Sequence, residues 1–266
     1  MRPRFVLRLA AALSAAALPA FAAPCSNDGG QYEQWKPQFA QEARAAGIGE
    51  RGIQALMNSS YSQGTINADR NQKSFNYSLD KFMQVRGANT IVSQGRQRKA
   101  ANAGFYQSLE QNYGVPAGVL LAIHGMETGF GGFMGDSPVV SSILTLAYDC
   151  RRSGFFTPHA LAALQLVDRG ALSANSIGAR HGEWGHTQFL PGNVVRYGVD
   201  GNGDGRVDLT NETDALASTA NFLRQKGWQP GAGYQQGQPN YRVIQEWNAA
   251  GVYQQAIAIM ASQIDG

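Results

Sequence analysis

Hydrophobic positions run almost unbroken from Val119 through Leu120, Leu121, Ala122 and Ile123 to Met126, stop at Glu127, and give way to Thr128-Gly129-Phe130-Gly131-Gly132-Phe133-Met134-Gly135. Wound as a helix, this run puts Leu120, Ile123 and Glu127 on one face at i, i+3 and i+7, so a carboxylate shares its stripe with residues that want the core. Pro116 opens that helix. The pattern predicts further helices with their own punctuation. One runs from Thr157-Pro158 to Arg169-Gly170, with a cap, a proline at the first helical position and a closing glycine; another is opened by Pro191; a third runs from Asn211 to Lys226, ahead of Gly227. Strands and helices do not alternate, which argues against a parallel α/β sheet. Residues 23–100 hold two or three short helices and read as a small N-terminal helical lobe, with 101–266 as the larger domain. Gln229–Asn240, rich in Gly, Pro and Gln, reads as a long exposed loop and a candidate groove wall.

The start of the chain follows a different logic. Met1–Arg8 is basic, Leu9–Leu18 is a short apolar stretch, and Pro19 leads to Ala20-Phe21-Ala22, which together predict a secretory signal peptide over 1–22 and not a membrane span. Cleavage after Ala22 removes three arginines, so 22 basic residues become 19 against 19 acidic ones, and no nucleic-acid partner is implied. Ala23-Pro24 before Cys25 does not fit the small-residue motif that directs lipid attachment. The expectation is a soluble periplasmic protein without a membrane anchor. Cys25 and Cys150 are the only cysteines, and in an exported chain they are expected to pair. The alternatives are two free thiols, or Cys25 joined to another chain.

Burial disfavours the charged form of a carboxyl, so an acid on that apolar stripe is held protonated near neutral pH, the state a general acid needs. The glycines after Glu127 would let a bulky polymer come close. The plain alternative is a glycine-capped helix end with Glu127 in solvent. Other chemistries fit less well. Gly129-x-Gly131-x-x-x-Gly135 follows a helix and has the wrong spacing for a dinucleotide fingerprint. The four histidines, His124, His159, His181 and His186, are scattered, without an HExxH or a second carboxylate–histidine motif, so no catalytic zinc or di-iron centre is expected. His124 reads as a packed helix residue or a hydrogen-bond donor in a cleft. No nucleophile elbow supports a Ser-His-Asp triad.

Asp200-Gly201-Asn202-Gly203-Asp204-Gly205-Arg206-Val207-Asp208 matches the first nine positions of a calcium loop. Asp200, Asn202, Asp204 and Asp208 bring oxygens to positions 1, 3, 5 and 9, Gly205 takes the sharp turn at 6, and Arg206 needs only its carbonyl at 7. Asn211 stands at position 12, where a bidentate Glu would close the cage, and Glu212 comes one residue too late. A weak structural calcium site is expected over 200–211, the alternative being a solvated turn without an ion.

Glu127-Thr128-Gly129-Phe130-Gly131, Gly182-Glu183-Trp184-Gly185-His186-Thr187-Gln188-Phe189-Leu190-Pro191 and the loop from Val199 to Leu209 together resemble the lytic murein transglycosylase B family, glycoside hydrolase family 103. The resemblance continues through Leu144–Arg152 and Ala217–Leu223 to Gly227-Trp228, and more faintly through Asn240-Tyr241-Arg242 to Trp247-Asn248, in family order. It implies a mainly α protein whose lysozyme-like (goose-type, transglycosylase) catalytic domain spans 101–266 behind the N-terminal lobe at 23–100. One EF-hand-like loop would hold calcium with Asp200, Asn202, Asp204, Arg206, Asp208 and Asn211. Arg151 and Arg152 would face the acidic stem peptide, since a guanidinium fork binds carboxylates bidentately. Gln188 and Asn248 would meet sugar hydroxyls and acetamido groups with amides that both donate and accept. Tyr148, Phe130, Trp184 and Trp247 are candidates to pack on sugar faces, although large aromatics are usually core. Phe222 and Trp247 stand where the family often has tyrosine, and His186 where glutamine or tyrosine is common. These departures bear on subsite preference and leave the acid untouched.

The resemblance further implies a monomer that cleaves peptidoglycan glycan strands with Glu127 as acid and base, needs no cofactor for catalysis, and forms 1,6-anhydromuramoyl ends. Two rivals stay open. In one, Glu183 or Asp136 activates water as the second carboxylate of a hydrolase. In the other, the chain is a non-catalytic wall-binding scaffold, against which an acid on an apolar face argues.

Overall fold

The computed structural model describes residues 23–71 and 77–266; the expected signal peptide, 1–22, lies outside the described residues. Thirteen α-helices follow one another there: α1 Tyr32–Ala45, α2 Glu50–Met57, α3 Gln63–Arg70, α4 Leu79–Arg86, α5 Ala88–Ala101, α6 Ala103–Tyr113, α7 Ala117–Thr128, α8 Val139–Tyr148, α9 Ser153–Asp168, α10 Pro191–Tyr197, α11 Glu212–Gln225, α12 Tyr241–Trp247 and α13 Gly251–Asp265. Strands β1 Ser137–Pro138 and β2 Ile177–Gly178 pair antiparallel, Ser137 opposite Gly178, and clip two loops together. The chain is mainly α, as its pattern predicts, with five helices in the N-terminal stretch where two or three were expected. No helix among the described residues is long and apolar enough to cross a membrane.

Helix α7 is the axis of the molecule. Its residues are buried on every side except at Glu127, as befits a helix that is apolar all round. Helices α5 and α13 flank it, and α8, α9, α2 and α10 form a second packed group. One continuous core joins them, from Tyr32 and Trp35 in α1 to Ile264 in α13. Burying Leu120, Leu121 and Ile123, all fully enclosed, contributes roughly 1.5–3 kcal/mol each relative to exposure. Those side chains fix where the end of α7, and hence Glu127, must lie.

Two sequence expectations about elements are corrected. Helix α9 begins at Ser153, with Pro158 inside it, instead of at Pro158. The extra turn is held because it buries Phe156, over whose ring the Arg152 guanidinium lies at 4.8 Å. The loop 229–240 walls no part of the Glu127 groove. It is bound to the opposite end of α7: Trp228 Nε1 donates to Gly114 O at 2.8 Å, and Tyr234 Oη donates to Asp265 Oδ2 at 3.2 Å. The fully buried Asn240 staples the loop, donating to the Gln229 and Ala232 carbonyls at 2.9 Å. Asn211 does cap α11, accepting from Thr213 N–H at 2.9 Å, and Pro191 does open α10.

Cys25 and Cys150 are joined in a disulfide, with Cα atoms 4.9 Å apart, as the cysteine count led us to expect. The segment after Cys25 lies along the chain at Tyr148–Cys150. Ser26 N–H donates to Tyr148 O at 3.0 Å, Cys150 N–H to Ser26 O at 3.4 Å, and Tyr148 Oη to Asp28 O at 2.8 Å.

Candidate active site

Glu127 stands one residue before the end of α7, where Gly129 turns the chain out of the helix. Its Oε1 accepts two hydrogen bonds from the C-terminal part of the chain, from Tyr253 Oη in α13 at 2.5 Å and from Trp247 Nε1 in α12 at 3.0 Å. Both donors are satisfied by the same oxygen, so a proton carried by this carboxyl resides on Oε2. Burial raises the Glu127 pKa; the bonds from Tyr253 and Trp247 and the positive charge of Arg86 oppose that rise without cancelling it. Burial and the neighbouring Glu127 charge raise the Tyr253 phenol far above its ordinary value, so it acts as a fixed donor. The result is a carboxyl that keeps its proton to higher pH than usual and presents it from one defined oxygen.

That carboxyl opens into a groove of about 260 Å³, lined among others by Glu183, Gln188, Asn193, Trp247 and Asn248. Burial pushes Glu183 up to about 7, with the charge of Glu127 adding to the rise. Gln188 sits at the tip of the turn that pairs Trp184 with Phe189, in the left-handed region at φ 55°. Such strain costs a non-glycine residue of order 1–3 kcal/mol and persists only where the surroundings hold it. Its Nε2 donates to the Gly185 carbonyl at 2.7 Å and to Met134 O at 3.3 Å, which leaves the amide oxygen to serve the groove. Asn248 is the converse case. Its Oδ1 accepts from Ala250 N–H at 3.0 Å in a turn that starts α13, so its amide nitrogen is the group it can offer. Each amide can thus take one role where the sequence allowed two.

Arg151 and Arg152 do not line this groove. Both donate to the buried carboxylate of Asp69 in α3, and Arg151 also donates to the Asp69 carbonyl at 2.8 Å. Beside them Arg70 pairs with the buried Asp149 at 2.5 Å. Asp136 is exposed, 3.8 Å from Arg180, and also lies outside the groove, which removes it as a partner for Glu127. Of the aromatic candidates, Tyr148, Phe130 and Trp184 are core, and Trp247 alone reaches the acid.

The loop 200–211 is folded around its own carboxylates. Asp200 accepts from the N–H groups of Gly203, Asp204 and Gly205 at 2.7–3.1 Å, and Asp204 accepts from Arg206 N–H at 2.9 Å. Asn202 accepts from Asp204 N–H at 2.9 Å, and Asp208 from Thr210. Gly205 has φ 86°, the conformation that the sixth position of such a loop reserves for glycine. An all-oxygen donor set on a turn of this shape fits a hard cation. Asn211 uses its side-chain oxygen to cap α11, and Glu212 is held by Arg98 Nη1 at 3.2 Å. The loop is fastened from behind by the fully buried Asp214, which accepts from Gly201, Asn202 and Asp208 N–H groups at 2.9–3.2 Å.

Sequence reading missed Asp214 and Tyr253. Each carried a signal: an acid in the first turn of α11, and a tyrosine on the apolar stripe of α13 with Ile257, Met260 and Ile264, where a buried hydroxyl requires a partner.

Fold and groove together define a lysozyme-like helical protein with one desolvated acid at the end of its central helix. A family model described as Transglycosylase SLT domain matches residues 31–239, and the chain belongs to that family. Among solved structures, SltB3 from Pseudomonas aeruginosa in complex with NAG-NAM-pentapeptide superposes with a TM-score of 0.82 at 28% identity, covering 90% of this chain and 80% of that one. Its complex with NAG-anhNAM-pentapeptide gives 0.81. The Escherichia coli lytic transglycosylase Slt35 in complex with calcium shares the fold, with a TM-score of 0.77 at 19% identity over 91% of this chain and 96% of that one. The membrane-bound lytic murein transglycosylase B of Escherichia coli (strain K12) is 32% identical over 123 residues, 46% of this chain. That match spans about a third of the relative's length, 34%.

Proposed function

We propose that this chain is a periplasmic lytic transglycosylase that cleaves the β-1,4 bond between N-acetylmuramic acid and N-acetylglucosamine in peptidoglycan and leaves 1,6-anhydromuramoyl ends. The observation that carries this reading is the Glu127 carboxyl, which lines the groove with Oε1 tied to Tyr253 and Trp247 and Oε2 left to carry the proton. Oε2 gives its proton to the glycosidic oxygen as the C1–O bond breaks. The N-acetyl group of the same sugar stabilises the positive charge at C1, a substrate-assisted route that needs no second carboxylate. Glu127, now ionised, takes the proton of the C6 hydroxyl as O6 bonds to C1, which restores the acid and consumes no water. The Gln188 oxygen suits a hydroxyl or acetamido N–H, and the Asn248 nitrogen suits an acetamido carbonyl. Arg151 and Arg152 stand outside the groove lining and clamp Asp69; the charge of Arg152 is felt at Glu183, which makes it the better placed of the two to meet a stem-peptide carboxylate.

Glu183 is the one observation on the side of a hydrolase, because it shares the groove and its pKa of about 7 lets it act as a base. Product chemistry separates the two. Digestion of purified peptidoglycan is expected to yield muropeptides lighter by one water than hydrolytic ones, with Glu183→Gln still cutting. Reducing-end muramic acid carrying oxygen from labelled water, together with inactivity of Glu183→Gln, would transfer the chain to the hydrolase reading.

The loop 200–211 is proposed to hold a structural calcium through Asp200, Asn202, Asp204, Asp208 and the Arg206 carbonyl, with Asn211 at the weak twelfth position. A ligand at about 100 times its Kd stabilises the state that binds it by about 2.7 kcal/mol, so saturating calcium should raise Tm by several degrees. Asp200→Ala with Asp204→Ala should abolish the response. Superimposable melting curves in chelator and in millimolar calcium would reject the ion.

A further inference from the structure

We propose that the cleft between α9 and α10 extends the glycan-binding surface, with Phe155 stacking on a sugar ring beyond those held beside Glu127. The proposal rests on the glycan reading of the Glu127 groove. That groove holds about 260 Å³, less than the roughly 300–1,000 Å³ of a site that encloses one small ligand, so a strand seated there must continue onto neighbouring surface. The α9–α10 cleft holds about 520 Å³, and Asn193 lines both spaces. A strand leaving the groove past Asn193 therefore enters the cleft.

The cleft has the apolar surface that a sugar face needs. Phe155, Pro158, Ala162 and Gln165 recur at three- and four-residue spacing, so one face of α9 forms a wall; Asn193 and Val195 of α10 stand on the other side. Phe155 is 54% exposed and Val195 43%, whereas Phe156, the next residue, is buried in the core. The Phe155 ring is steadied by edge-on contact with Phe156, 4.9 Å between centroids, and by the His159 ring at 5.1 Å.

The polar groups of the cleft are spare. Gly192 N–H donates to His159 Nδ1 at 3.1 Å, which puts the ring hydrogen on Nε2 and leaves it as a donor. A Cβ at residue 192 would stand 2.5 Å from Nδ1, so a glycine there is what lets α10 close on the imidazole. The side-chain amides of Asn193 and Gln165 have no partner among the described residues. Arg196 brings the one formal charge on the lining. A pyranose presents C–H groups on its faces and hydroxyl or acetamido groups on its edges, which matches an apolar platform flanked by two free amides and an imidazole N–H. The apolar face of a partner helix would instead leave those three groups unpaired, at a cost for each.

The test uses Glu127→Gln, which removes cleavage, with chitohexaose, a β-1,4-linked N-acetylglucosamine oligomer, as the probe. In an amide NMR titration the resonances of Phe155, Gln165 and Asn193 should move together with those of Gln188 and Asn248. Adding Phe155→Ala should weaken binding by about tenfold, which is about 1.4 kcal/mol, and Phe155→Trp should retain it. Melting curves check that both remain folded. In the chain with Glu127 intact, Phe155→Ala should raise KM for long glycan strands and leave kcat unchanged, the signature of lost uniform binding. Equal chitohexaose affinity in folded Phe155→Ala would overturn the cleft and leave the reading of Glu127 standing. Failure of Glu127→Gln to bind chitohexaose at all would remove both. A dimer in sedimentation that Phe155→Ala dissolves would assign the cleft to a second copy of the chain and overturn the sugar assignment.

Discussion

Glu127→Gln is expected to abolish peptidoglycan cleavage while leaving the protein folded. General acid or base catalysis typically contributes about 10²–10⁴-fold, and in the proposed mechanism one residue serves both steps. The amide keeps an oxygen for Tyr253 and Trp247 to donate to, so the contacts of α7 with α12 and α13 survive. What it loses is the proton that can leave from Oε2. Linkage gives this variant a second signature. A carboxyl whose folded pKa is raised adds stability below its unfolded pKa, and that contribution is lost as pH rises through the folded value. The wild-type protein should therefore lose stability relative to Glu127→Gln as pH rises above the ordinary glutamate range, and its cleavage rate should fall as the acid form disappears. Turbidity loss of purified peptidoglycan suspensions and melting curves across pH measure both. Near-normal turnover in a folded variant would remove Glu127 from the mechanism.

Loss of the Cys25–Cys150 bond should be the largest single stability effect. The two residues are 125 apart in sequence, and a loop of that length gives a nominal contribution of about 4–5 kcal/mol when cross-linked, from restriction of the unfolded chain. The native contacts at Ser26, Asp28 and Tyr148 remain after reduction, so the folded state should persist with lower stability. Urea denaturation with and without reductant, and of Cys25→Ser with Cys150→Ser, gives the difference. Unchanged midpoints, or thiols that alkylate in the native unreduced protein, would count against it.

Much of this architecture was legible because its signals are local. The unbroken apolar run of α7, the caps at Pro191 and Asn211, and the oxygen spacing of 200–208 each depend on a few consecutive residues. The start of α9 was misread because the Thr157-Pro158 pair looks like a helix start, whereas burial of Phe156 carries the helix back to Ser153. The environment of Glu127 was only half legible. The sequence shows an acid beside core residues, but the donors that decide which oxygen carries the proton lie far along the chain, and no periodicity links them. The role of Arg151 and Arg152 was hidden for the same reason, since Asp69 sits in another helix. Gln188 and Asn248 could be placed at the groove from the family pattern, but their backbone bonds decide which end of each amide is available.

The donors that grip Glu127 stand 120 and 126 residues after it. Helix α7 can form from its own sequence, but its carboxyl then has the ordinary acidity of a glutamate in water. Only when α12 and α13 have docked is the acid desolvated and its proton confined to one oxygen. Under the proposed mechanism, competence therefore requires that these two distant parts of the chain have met. A molecule in which α12 and α13 have not docked would, by the same proposal, be dormant towards glycan strands.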